Sequence, residues 1–217
     1  MNNYTIAKYL KVNDDIQLYL IDISENVKHC NRRIVPESQI KEISRYKNRH
    51  DSDKRILARA FLYEYLRKSY GIDDFELCFN QYKKPFLKVA PNIDFSFSYA
   101  KNYLLIGISK DKKVGVDIEH VNLGLKLNEL APEIMCLAEL RRFNSYLFRP
   151  SDQLHYFFNL FSAKESIIKC FGTGLYFDVK NLSISANTEY SYMGVRCLYH
   201  ELGLWENKYV LSLCYEL

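Results

Sequence analysis

Apolar and polar positions along the chain follow two different periods, and the order in which those periods occur predicts the architecture. The run IQLYLIDI, Ile16 to Ile23, is rich in β-branched and aromatic residues and reads as a strand. From Pro36 to Tyr70 the spacing becomes helical. Pro36, Glu37 and Ser38 look like a helix start, Ile56, Leu57, Ala60, Phe61, Tyr63 and Leu66 supply an apolar face, and Gly71 ends it. Short strand candidates follow, FELCF, FLKV, IDFSFSYA, YLLIGIS and VGVDIEH, divided by the turn material KKP, AKN and KDKK. A second helical zone covers about Leu125 to Phe171, with breaks expected near Pro132 and Pro150, and NLSIS, YMGVRCLYH and KYVLSLCYEL then read as strands. No sequence repeat is visible, yet the order strand, helix, several strands occurs twice. The expectation is an α+β fold of two similar halves, residues 1–112 and 113–217, joined near residues 110–113.

Composition agrees with a packed fold: 48% of residues are apolar and 15% aromatic, far from the makeup of disordered chains. The formal charge of +4 is a mild excess that favours an anionic ligand without calling for nucleic acid. Six cysteines, at 30, 78, 136, 170, 197 and 214, form no Cys-x-x-Cys pair, and the N-terminus has no long apolar stretch. A reducing cytoplasm fits both, with the cysteines as small buried hydrophobes. No apolar run approaches the ~20 residues needed to span a bilayer, so no membrane role is expected.

Three segments carry candidate chemistry. In VGVDIE, side chains two apart share a strand face, so Asp117 and Glu119 project together; the pair is either a solvated strand face or a ligand for a hard cation such as Mg²⁺. In FSAKESIIK, helical spacing sets Phe161, Glu165 and Lys169 on one stripe. That stripe is either an ordinary i,i+4 ion pair or a lysine for phosphate beside a glutamate for metal or proton. Lys41, Arg45, Lys47, Arg49, Lys54, Arg55 and Arg59, followed by Lys83 and Lys84, make either a solvated basic face or a polyphosphate grip. Taken together, the parts describe a divalent ion bridging a pyrophosphate, the inventory of phosphoryl transfer. Neither a Walker-A pattern nor a kinase glycine loop occurs.

The ordered segments VGVDIE, FSAKESIIK and GTGL resemble the surfactin-type 4′-phosphopantetheinyl transferases, whose hallmark is (V/I)G(V/I)D(I/V)E followed by W-x-x-K-E-x-x-x-K and G-x-G-L. Upstream, DSDKRILAR looks like the family's D-x-x-R-x-L-x-G-R, and YKKP like its Y-G-K-P. The resemblance implies a pseudo-two-fold pair of α+β halves with the site between them. It implies Mg²⁺ on Asp117, Glu119 and Glu165, with Glu165 accepting the serine proton and Lys169 stabilising the pyrophosphate. It also implies that Lys84 and Ser96, with some of Arg45, Arg49, Lys54 and Arg55, hold the adenosine 3′-phosphate end of coenzyme A. The implied reaction moves phosphopantetheine to a serine of an acyl or peptidyl carrier protein, and the implied protein is a monomer. Departures from the family pattern include Phe97 for histidine, Phe161 for tryptophan, Lys54 for arginine and Lys83 for glycine. Two other readings stand beside the transferase. Phe97 suggests a coenzyme A or carrier-protein binding module that has lost turnover. The acidic pair with lysine suggests a Mg²⁺-dependent nuclease, although the E-x-K spacing typical of such sites is missing.

Overall fold

The computed structural model of the chain describes residues 4–73, 76–184 and 188–217. Phe75 of FELCF and Ser185 of NLSIS lie outside the described residues. The first half begins with an antiparallel pair, β1 (Ile6–Lys11) and β2 (Ile16–Asp22). Alternation in β2 buries Ile16, Leu18 and Leu20 on one face and Tyr19 and Ile21 on the other, which is why the run is apolar throughout. β1 has no counterpart among the sequence expectations, because its residues are half-buried or exposed and two of the six are lysines. The Asp22 carboxylate accepts from the Glu25 amide and caps the short helix α1 (Ile23–Asn26).

The helix expected over Pro36 to Tyr70 is two helices, α2 (Glu37–Ile43) and α3 (Arg49–Tyr70). Asn48 restarts the chain by accepting from the His50 amide, and Gly71, at φ 66°, closes α3 in the left-handed conformation that suits glycine. A small hairpin, β3 (Leu77–Phe79) and β4 (Pro85–Leu87), precedes three longer strands, β5 (Ile93–Ala100), β6 (Tyr103–Lys110) and β7 (Val114–His120).

The second helical zone contains α4 (Leu127–Ile134), α5 (Leu137–Ser145) and α6 (Pro150–Phe171). Pro132 does not break α4; it removes one donor inside a helix of 8 residues, and the interruption falls at Met135, whose amide closes the helix on the Ala131 carbonyl. Pro150 is a start rather than a break, since the first turn of a helix leaves its N–H without a partner anyway. Among the described residues of NLSIS none is a strand, because the Ile184 amide is taken by the Glu139 carboxylate. YMGVRCLYH folds as a hairpin: β8 (Glu189–Tyr192) turns through Met193 and Gly194, both at positive φ, into β9 (Val195–Trp205). β10 (Tyr209–Glu216) ends the fold.

The two larger sheets have the orders β1-β2-β6-β5 and β7-β10-β9-β8. Within them the same kernel occurs twice: a strand, a 22-residue helix, then a hairpin whose last strand pairs with the first. In the first sheet this is β2, α3, β5, β6; in the second it is β7, α6, β9, β10. β1 and β8 are additions at an edge. The α+β fold of two similar halves is therefore present in this structure. The sheets face each other across Ile16, Leu18, Leu20, Leu105, Val116, Ile118 and Leu213, while α3 covers the far side of the first sheet and α6 that of the second.

Gly115 fixes how closely α6 lies on β7. A Cβ there would sit 2.0 Å from the Ser166 carbonyl oxygen and 2.3 Å from the Cys170 amide nitrogen, backbone that cannot give way. Gly115→Ala is expected to cost about 3 kcal/mol or more in urea denaturation, whereas Gly124→Ala, on the exposed loop, stays within ~0.5 kcal/mol.

Candidate active site

Edge strands β5 and β7 meet where the two sheets approach, and side chains rather than a backbone ladder join them. Asp94, Ser96 and Ser98 alternate on one face of β5. Asp94 Oδ2 accepts from the Val114 amide at 2.8 Å, Ser96 Oγ from the Val116 amide at 3.1 Å, and Ser98 Oγ donates to Asp117 Oδ1 at 2.8 Å. Two amides on the open edge of β7 are thereby satisfied. Lys84 Nζ completes the seam at 2.6 Å from Asp94 and 3.2 Å from the Val114 carbonyl.

Above the seam lies the acidic cluster. Asp117 is buried, Glu119 is half-buried two residues on, and along α6 the half-buried positions Phe161, Glu165 and Lys169 form a stripe in an otherwise buried C-terminal half. Lys169 does not close the i,i+4 pair with Glu165 that the sequence suggests. Its Nζ crosses instead to Asp117 Oδ1 at 2.6 Å and Ser98 Oγ at 3.1 Å. The other Asp117 oxygen, Oδ2, is buried without a partner. One cation is not enough for three carboxylates: burial, then the charge of Asp117, pushes Glu119 up to about 8, with Lys169 opposing and Glu165 adding. Glu165 is raised as well, by burial first, with Lys169 opposing and Asp117 adding. An orphaned oxygen and two carboxylates short of positive charge fit a hard divalent cation such as Mg²⁺. The set is open, since the three residues do not each bring an oxygen within 4.8 Å of the others; among the described residues only a cysteine cluster is that tight.

The residues expected to grip a nucleotide divide. A cavity of about 240 Å³ beside the cluster is lined by Lys84, Ser96, Phe97 and Lys169, so three sequence-predicted residues share one wall. Arg45 and Arg49 do not reach it: both are exposed, and Arg49 lies 3.7 Å from Asp53. Lys54, ion-paired with Asp51, and Arg55 lie over the ring of Tyr99, at 5.6 and 5.5 Å. Arg59, one turn on, lies 5.3 Å from the centre of the Phe97 ring, and its Nη1 is buried without a hydrogen bond. The basic face of α3 thus covers an aromatic strip of β5, a packing role more than a solvated one.

Asp94, Ser98 and Lys164 escaped the sequence reading. The first two were visible as the D-x-S-x-S alternation inside IDFSFSYA. Lys164 sits next to the predicted stripe but points into the core. It is fully buried, 2.7 Å from Glu139 Oε2, and it donates to the Ile134 and Val179 carbonyls at 2.7 and 3.0 Å. A lysine at an inward helical position needs such a partner, and Glu139 at the start of α5 gives no sign of being it.

A family model described as the 4′-phosphopantetheinyl transferase superfamily matches residues 113–214, the stretch that contains β7 and α6. A 4′-phosphopantetheinyl transferase of Bacillus subtilis is 25% identical over 142 residues. The second half of the chain is similar to the 4′-phosphopantetheinyl transferase superfamily. The transferase gsp of Aneurinibacillus migulanus is 29% identical over 150 residues, 66% of this chain, and Sfp of Bacillus subtilis strain 168 is 26% identical over 154 residues, 70% of this chain. The first of these relatives is matched over 64% of this chain, and the chain spans 61% and 58% of the lengths of the first two. A holo-acyl-carrier-protein synthase of Thermotoga maritima overlays 48% of this chain and 62% of its own, at a TM-score of 0.33 and 22% identity.

Two predictions follow from the site's geometry. Lys83, in the turn between β3 and β4, holds φ at 67°. Left-handed backbone costs a side chain about 1–2 kcal/mol, and glycine's extra freedom in the unfolded chain offsets up to about 1, so Lys83→Gly should add roughly 0.5–1 kcal/mol in chemical denaturation. Glu119 binds its proton more tightly folded than unfolded, so the stability it contributes is complete below its ordinary range, near 4.5, and is lost as pH rises through about 8. Without divalent ions, the melting temperature should therefore fall between those pH values, Glu119→Gln should flatten that fall, and Mg²⁺ should reverse it at the alkaline end.

Proposed function

We propose that the protein transfers the 4′-phosphopantetheine group of coenzyme A to a serine of an apo acyl or peptidyl carrier protein. The observation that carries this reading is the meeting of Asp117, Glu119, Glu165 and Lys169 at the seam, beside a cavity walled by Lys84 and Ser96. The superfamily match over residues 113–214 and relatives named 4′-phosphopantetheinyl transferase support the same reading.

In this reading Asp117, Glu119 and Glu165 would hold Mg²⁺, which would supply positive charge to the pyrophosphate oxygens. Glu165 takes the proton from the attacking serine. The serine oxygen bonds to the phosphorus that carries the pantetheine arm. The bond from that phosphorus to the bridging oxygen breaks, and adenosine 3′,5′-bisphosphate leaves with the electron pair. Lys169 moves its ammonium from Asp117 toward the oxygens that gain charge. Lys84 and Ser96 guide the nucleotide end, with Lys54 and Arg55 at the rim. Residues 1–112 and 113–217 are the two domains, the site lies between them, and the chain acts as a cytoplasmic monomer. Among the described residues no helix is long and apolar enough to cross a membrane.

The test incubates the protein with Mg²⁺, coenzyme A and a panel of apo carrier proteins, followed by intact-mass spectrometry. The expected result is one phosphopantetheine added to the carrier, absent from a carrier whose serine is alanine and slowed by about 10²–10⁴ in Glu165→Gln with unchanged circular dichroism. Binding of coenzyme A without addition to any carrier, or full turnover by Glu165→Gln, overturns the assignment.

A further inference from the structure

Cys170 of α6, Cys197 of β9 and Cys214 of β10 are free thiols, and their sulfur atoms all lie within 4.8 Å of one another. Each is fully buried. Three elements distant in sequence deliver them, so no spacing motif announces the site. In the β9/β10 register Cys197 stands opposite Glu216 and Cys214 opposite Tyr199, which makes the two thiols diagonal neighbours on one face of the sheet. Cys170 comes down on that face from the helix above. The remaining cysteines, Cys30, Cys78 and Cys136, belong to none of this.

We propose that the three thiols form a binding site for a soft monovalent cation, Cu(I), held by sulfur alone. Ligand number decides between metals. A structural zinc site takes four donors, and among the described residues no histidine, aspartate, glutamate or fourth cysteine joins the three sulfurs. Iron, calcium and magnesium ask for harder or more numerous donors, whereas thiolates select Cu(I). Size agrees as well. Three sulfurs around one ion at about 2.3 Å stand about 4.0 Å apart, so the observed cluster needs to contract by less than about 1 Å. A cavity of about 370 Å³, lined by Cys170, Gly172, Lys84 and Asp94, adjoins the cluster on the Cys170 side. A bound ion would tie the end of α6 to the two central strands of its sheet one residue beyond Lys169, and it would displace the thiol protons to solvent. The site is separate from the acidic cluster, which is built of oxygen donors and faces the other edge of α6.

The experiment titrates the reduced protein with Cu(I) under anaerobic conditions against a chromophoric Cu(I) chelator, and then records X-ray absorption at the copper edge. About one equivalent should be withdrawn from the chelator, and the absorption spectrum should give three sulfur neighbours. Cys197→Ser and Cys214→Ser, checked for folding by circular dichroism, should each lose more than the ~10–100-fold in affinity that outer-shell changes cost a metal site. A triple variant with Cys30, Cys78 and Cys136 all changed to serine should bind like the unaltered chain. No withdrawal from the chelator, uptake that survives in the cluster variants, or uptake that disappears in the triple variant overturns the proposal. Should a cluster variant fail to fold, the coordination number in the unaltered protein decides alone, three sulfurs for the cluster and two against it.

Discussion

The close approach of α6 to β7 at Gly115 is the constraint on which the rest of the structure depends. With no side chain at that position, helix backbone rests on strand backbone, and the next inward turns of α6 fall into register with the alternating residues of β7. Lys169 then reaches Asp117 at 2.6 Å and Glu165 falls near Glu119, although two of these residues come from a strand and two from a helix some fifty positions on. A methyl group at 115 would lift the helix and separate the ammonium from the carboxylate. The chemistry of the site is thus set first by a steric vacancy and only then by charge.

The second dependence runs through β5. Edge strands are exposed ladders, and here the exposed amides of β7 are met by Asp94 and Ser96 instead of another strand. That arrangement leaves a gap between the sheets at their edges, and the cavity beside Lys84, Ser96 and Lys169 occupies it. Ser96 consequently serves the joint as well as the cavity wall, and Lys84 balances Asp94 while facing the same space. The halves are joined by the residues that line the space between them.

Much of this was legible in the sequence because period and order survive without tertiary knowledge. The alternation of VGVDIE placed Asp117 and Glu119 on one side, and the i,i+4,i+8 stripe of FSAKESIIK placed Phe161, Glu165 and Lys169 on another; both hold in the structure. What the sequence could not convey was partnership. Nothing local says that Lys169 prefers Asp117 to Glu165, that buried Lys164 is answered by Glu139, or that three cysteines from three elements converge. Pro132 marked the region of a break but not its position, since the helix runs on to Ile134 and is closed at Met135. The basic run on α3 was also only half readable: its charge was plain, but Arg45 and Arg49 stay in solvent while Lys54, Arg55 and Arg59 lie over the aromatic rings of β5.

The central claim is that the seam between the halves is where a divalent ion and coenzyme A come together. A crystal structure of the protein grown with coenzyme A and Mn²⁺, with anomalous scattering recorded at the manganese edge, tests it most directly. The account predicts a manganese peak bounded by carboxylate oxygens of Asp117, Glu119 and Glu165, pyrophosphate oxygens on its open side, and the Lys169 ammonium moved off Asp117. A peak elsewhere, or coenzyme A bound away from the seam with the Lys169–Asp117 pair intact, would contradict it.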